Sequence, residues 1–144
     1  MKTIVIYDSL FGNTKLVAEA VAAACDAKIF RAGDVANLDL KNVDLLIVGS
    51  PTQGGRPTEQ VQTWLESLPD LGGTRVAAFD TRFKTKLVGI FGYAADKITS
   101  QLEDSNGKLV VPPQGFIVSH TKGPLVGGEI DKAKAWAKQI CSTP

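Results

Sequence analysis

The chain has 144 residues, of which 44% are hydrophobic and 22% charged. Those are ordinary globular proportions, and they exclude a disordered or fibrous chain. Sixteen Lys and Arg against fifteen Asp and Glu leave a formal charge of +1, which gives no electrostatic basis for nucleic acid or an anionic membrane as partner.

At roughly 150 residues per domain, the length predicts one domain over residues 1–144. The apolar run after Met1-Lys2 stops at Asp8, too soon for a secretory signal. No stretch approaches the roughly 20 apolar residues of a membrane span. Cys25 and Cys141 form no Cys-x-x-Cys and no zinc cluster. They are expected as two buried or half-buried thiols, which suits a reducing cytoplasm.

In chain order, residues 3–7 form the first continuously apolar run, and residues 44–48, 76–79 and 116–118 form others. Runs apolar on both faces are the mark of parallel strands covered by helices. Residues 27–31 are shorter and charged, as an edge strand is. Between the runs lie helical patterns. Leu16, Val17, Ala20, Val21 and Ala24 share one face, then Val61, Trp64, Leu65 and Leu68. Phe91, Ala94, Ala95, Ile98 and Leu102 follow, and then Ile130, Ala133, Ala137 and Ile140. Pro57 suits a helix's first turn, Trp64 the core face, and Trp136 a helix flank. The stretch between Phe30 and Asp44 reads as a loop or a short irregular helix.

Strands alternating with helices predict a three-layer α/β sandwich with a five-stranded parallel sheet. The order 2-1-3-4-5 puts the charged strand at an edge and creates a switch point between strands 1 and 3. Ligands in such sheets bind beyond the carboxyl ends of the strands at that point. The informative residues are therefore those just after each strand.

After strand 1 comes Ser9-Leu10-Phe11-Gly12-Asn13-Thr14, which leads into a helix. A helix start offers free N–H groups and partial positive charge, and Ser9, Asn13 and Thr14 add side-chain donors. Such a turn can wrap a phosphate without a cation. Equally, Asn13 or Thr14 can simply cap the helix. The run Ile4-Val5-Ile6-Tyr7-Asp8-Ser9-Leu10-Phe11-Gly12-Asn13-Thr14 resembles the flavodoxin signature, whose turn binds the 5'-phosphate of FMN. After strand 3, Gly49-Ser50-Pro51-Thr52-Gln53-Gly54-Gly55 is similar to that family's second FMN loop. It departs at Gln53, where many relatives place an aromatic side chain that stacks on the flavin. The resemblance implies that Pro51, Thr52, Gln53 and Gly54 approach the cofactor, with one ring face more open.

After strand 4, Asp80-Thr81-Arg82-Phe83 stands where the family's third loop covers the ring. Asp80 and Thr81 would bond its pyrimidine edge. Arg82 or Phe83 would pack on it, unless Phe83 is only a plug beneath the loop. Arg56, Arg82, Lys84 and Lys86 all leave this edge of the sheet. Cations there favour the negative charge of reduced flavin, and the expectation is a less strongly reducing cofactor than in a typical acidic flavodoxin. The only histidine, His120, reads as a surface residue.

No Ser-His-Asp arrangement, paired carboxylate or metal cluster stands at the strand ends. The resemblance, to a short-chain member, therefore implies a monomeric FMN electron carrier serving a reductase and an acceptor protein. On the same fold stand a quinone reductase, a porphyrinogen-oxidising flavoprotein, or a binding module that has lost its flavin. A signalling receiver needs an acidic phosphoacceptor after strand 3, where this chain has Gly49-Ser50-Pro51.

Overall fold

The computed structural model describes residues 1–84 and 92–142. Phe91 and Lys86, which figure in the expectations above, lie outside them. Within the described residues, six strands form one parallel sheet: β1 (Thr3–Tyr7), β2 (Lys28–Arg31), β3 (Leu45–Pro51), β4 (Arg75–Phe83), β5 (Lys108–Leu109) and β6 (Gln114–Val118). The order β2-β1-β3-β4 continues with β5 and β6, which both pair with β4. The predicted order 2-1-3-4-5 is present, with its last position shared by two short strands. β5 pairs with Arg75 and Val76, and β6 with residues 79–83 of β4. The break between them holds Pro112 and Pro113, which have no N–H to give a ladder.

Among the described residues, four helices cover the sheet: α1 (Asn13–Cys25), α2 (Glu59–Glu66), α3 (Ala94–Asp104) and α4 (Glu129–Cys141). Side chains alternate across the strands, so each strand feeds two cores. Val5, Ile47, Ala77 and Phe79 meet α1 and α4 on one face. Ile4, Leu46, Val48, Val76 and Ala78 meet α2 and α3 on the other. Residues 32–34 form a single 3-10 turn in the stretch left open between loop and irregular helix.

Several local expectations are corrected. The buried face of α1 is Thr14, Val17, Ala18, Val21, Ala22 and Cys25, and Leu16 is 53% exposed. Trp136 is buried rather than flanking. It falls three residues after Ala133, on the inward stripe, and meets Phe79 and Phe116 edge to face at 6.0 and 6.1 Å. Trp64 packs in the core as expected. Pro57 precedes α2 instead of starting it: Thr58 is the N-cap, and its hydroxyl accepts from the Val61 N–H. Leu68 lies beyond the end of α2, although it still packs on the core. Cys25 and Cys141 are joined as a disulfide that ties the end of α1 to the end of α4. This replaces the two thiols on which the cytoplasmic expectation leaned.

Candidate functional site

The turn between β1 and α1 is closed from within: Ser9 Oγ accepts the Gly12 N–H at 3.1 Å. Gly12 stands just before the helix at φ 94°, a left-handed conformation that suits glycine. No side chain caps α1. The amides of Asn13, Thr14 and Lys15 have no carbonyl one turn back to receive them. The cap reading of Asn13 or Thr14 is thereby corrected. Thr14 is buried, and its hydroxyl lies 2.8 Å from that of Thr81, which joins the first turn to β4. The first turn of α1 holds no acidic residue, whereas α2 has Glu59, α3 has Asp96, and α4 has Glu129 and Asp131. In those three helices a carboxylate already answers the dipole.

The second loop is fixed by its backbone. The Thr52 N–H donates to the Thr81 carbonyl at 2.9 Å, and Thr52 Oγ1 accepts from the Ala94 N–H at 3.1 Å. Gln53 and Arg56 exchange both backbone hydrogen bonds around Gly54 and Gly55. Gln53 is exposed at the tip.

The third segment is strand rather than loop. β4 runs on to Phe83 because β6 pairs with it over Asp80, Thr81, Arg82 and Phe83. Asp80 and Arg82, two apart, share one face. Arg82 Nε and Nη2 donate to the two Asp80 carboxylate oxygens at 2.6 and 2.8 Å. The guanidinium carbon lies 3.3 Å from the centre of the Tyr93 ring. A side chain at Gly115 would collide with it, so that glycine makes the seat. Asp80 is fully buried and also accepts from the Ala95 N–H at 2.9 Å. Burial pushes its carboxyl above the ordinary value, while Arg82 and the hydrogen bonds from Ala95 and Thr52 pull the other way.

These segments face one open cleft of about 480 Å³ at the carboxyl edge of the sheet. Its wall brings together Ser9, Leu10, Phe11, Asn13, Thr14, Pro51, Thr52, Gln53, Thr81, Arg82 and Phe83. Three expected residues are not in it. Gly12 and Gly54 shape turns, and the Asp80 side chain turns away to Arg82. Sequence reasoning missed Val118 and Thr121, which line the cleft from β6 and the chain beyond it. The only earlier signal for them was their place after the last strand. Phe83 is 43% exposed, so it is no plug. His120 is exposed.

The expected surround of cations is corrected at Arg56 and Lys84. Arg56 lines a separate groove between α2 and α3. Lys84 lines another groove beside β6, and Lys86 lies outside the described residues. Of the three that lie within the described residues, only Arg82 reaches the cleft wall, with Asp80 balancing its charge. Among the described residues, no group of acidic, His or Cys side chains can hold a metal ion, and no helix is long and apolar enough to cross a membrane.

A doubly wound parallel sheet in this order, with its cleft at the β1/β3 switch point, defines a flavodoxin-like α/β protein. The chain belongs to the flavodoxin domain family, whose model matches residues 4–112. It is 30% identical over 120 residues to a Nostoc sp. protein named among the diflavin flavoproteins. That match takes in 72% of this chain and 19% of the Nostoc protein, so the chain spans about a fifth of that relative's length. The crystal structure of oxidised Flavodoxin 2 from Bacillus cereus superimposes with a TM-score of 0.81 at 21% identity, covering 98% of this chain and 97% of that one. Rubredoxin oxygen:oxidoreductase from Desulfovibrio gigas matches with a TM-score of 0.74 at 17% identity, covering 97% of this chain and 35% of that one. Membership of the family implies a flavin as cofactor.

Proposed function

We propose that this chain binds FMN in the cleft and carries electrons between a reductase and an acceptor protein. The observation that carries the reading is the start of α1, which has no cap and no acid and opens into the same cleft as the second loop and the end of β4. Its donors are neutral: backbone amides with the Ser9, Asn13 and Thr14 side chains. Such a set suits a phosphate monoester, whose charge the helix dipole also favours. Apolar Leu10, Pro51 and Phe83 beside polar Thr52, Gln53 and Thr81 suit a flat heterocycle with a polar edge.

Bound FMN would supply the redox chemistry. The chain's part is to hold the phosphate at α1 and present the ring between Pro51-Thr52-Gln53 and Thr81-Arg82-Phe83. The Asp80–Arg82–Tyr93 stack keeps a compensated guanidinium on the wall, so Arg82 itself adds no net charge beside the ring. The test is titration of the purified protein with FMN and with riboflavin, followed by quenching of flavin fluorescence. Tight FMN binding with weaker riboflavin binding is expected. Failure to bind FMN overturns the reading.

The exposed Gln53 favours one second reading, a small FMN-dependent oxidoreductase such as a quinone reductase, because a flexible, non-aromatic side chain does not stack over the ring. Steady turnover of a quinone with a nicotinamide donor would select it over the carrier.

A further inference from the structure

Asp8 plays no part in the cleft wall, yet it is 6% exposed and has three donors on its two oxygens. Oδ1 accepts from the Ser9 N–H at 2.8 Å and from Arg31 Nη1 at 3.0 Å. Oδ2 accepts from Thr58 Oγ1 at 2.6 Å. Arg31 Nη1 also donates to the Ser9 carbonyl at 2.9 Å, and its guanidinium lies over the Tyr7 ring at 5.2 Å. Both backbone groups of Ser9, the residue that opens the turn, are therefore held by one ion pair. Thr58, whose N–H donates to Ser50 Oγ at 3.0 Å, extends the same hold to the second loop.

A carboxylate beside a phosphate site needs an explanation, because it repels the ligand through a partly desolvated medium. Arg31 supplies one. We infer that Asp8 is a positioning residue that sets Ser9 and the turn for an anion, and that Arg31 is the counter-charge that makes the carboxylate compatible with that anion. The Asp8 side chain engages the Ser9 amide, so that N–H is already spent within the turn while Ser9 lines the cleft. Arg31 thereby governs preference for a phosphorylated ligand from outside the cleft. The inference rests on the phosphate reading of the α1 turn.

The experiment compares the wild type with Arg31→Gln, Asp8→Asn and the double variant. Each is titrated with FMN and with riboflavin, which lacks the phosphate, and folding is checked by thermal unfolding. Arg31→Gln, on a half-buried edge side chain, is expected to fold and to lose roughly tenfold of the preference for FMN over riboflavin, because the Asp8 charge is left without its partner. Adding Asp8→Asn removes that charge, and the double variant is expected to regain most of the preference. In high salt the Arg31→Gln deficit is expected to shrink as the bare carboxylate is screened, a readout that holds even where Asp8→Asn does not fold. A purely structural strut would weaken both flavins alike. Equal losses for FMN and riboflavin overturn the inference, and so does a double variant no better than Arg31→Gln. A wild type that prefers FMN, with variants that keep the preference, removes the inference and leaves the FMN reading standing. A wild type with no preference removes both.

Discussion

Two hydroxyls and one ion pair decide most of what the cleft can do. Thr14 and Thr81 share a buried hydrogen bond from opposite sides of the site, so one of the two hydroxyl protons is left to serve a ligand. Thr14→Val keeps the shape and removes the hydroxyl, and Asn13→Ala removes the neighbouring amide. Each is expected to weaken FMN by about 1.5–3 kcal/mol, the usual loss for a hydrogen bond to a charged group, with little effect on riboflavin. Fluorescence titration checks both, and unchanged affinity in both variants would mean the turn only starts a helix. Asp80 makes a prediction in pH. Its native carboxyl titrates above the ordinary range because burial outweighs Arg82. Between the unfolded and native values the folded protein holds the extra proton, so this group's contribution is present at the acid side and is lost as pH rises. Asp80→Asn has no such slope. Denaturant unfolding at successive pH values is expected to show the variant gaining on the wild type as pH rises through that window, by at most about 1.4 kcal/mol per pH unit. A difference that moves the other way would place the Asp80 carboxyl below its ordinary range.

At the scale of elements, the sequence announced strands more reliably than it announced the rotation of helices. Residues 3–7 stood out as β1 because Ile4, Val5 and Ile6 are buried on both sides. The face of α1 was set one residue off because Leu16 is its largest apolar side chain. The core instead takes small residues at Ala18 and Ala22, where α1 lies close to α4. β4 was read as ending at Phe79 because Asp80 and Arg82 look like loop residues. In the fold their period-two spacing lets each neutralise the other within the strand. Asp8 was illegible for a related reason: a carboxylate after an apolar run reads as a terminator, and its partners Arg31 and Thr58 lie far along the chain. The entry to α1 carries its own prediction. Gly12→Ala meets no steric obstacle nearby, yet it must hold φ near 94°. The expected cost is roughly 1–2 kcal/mol in unfolding free energy without flavin, and FMN binding is expected to weaken as the turn relaxes. Urea unfolding and FMN titration of the same preparation check the two effects.

Across the whole molecule, stability and site stand at opposite ends of α1. The cleft opens at its first turn, and the Cys25–Cys141 link closes its last. Twelve residues of rise put roughly 18 Å between them. The bond spans a sequence separation of 116 residues, so in the unfolded chain it closes nearly the entire polypeptide into a loop. Constraining so large a loop is worth roughly 2–5 kcal/mol. Sequence spacing alone could not reveal the pair, because each cysteine reads as one half-buried apolar position late in a helix. Only the packing of α1 against α4 brings their Cα atoms to 5.6 Å. The expectation is a separation of effects. Replacing both cysteines, Cys25→Ala with Cys141→Ala, should lower the unfolding free energy by that amount, and a reductant should do the same to the wild type while leaving the variant unmoved. FMN affinity at a temperature where both remain folded should stay within about twofold, since helix α1 is held along its length by Val17, Val21 and Ala22 against the sheet and α4. A reductant that changes neither the wild type's unfolding nor its mobility on a non-reducing gel would show that the two sulfurs are not bonded in solution. A parallel fall in FMN affinity would show that the α1–α4 junction reaches the phosphate turn through the helix.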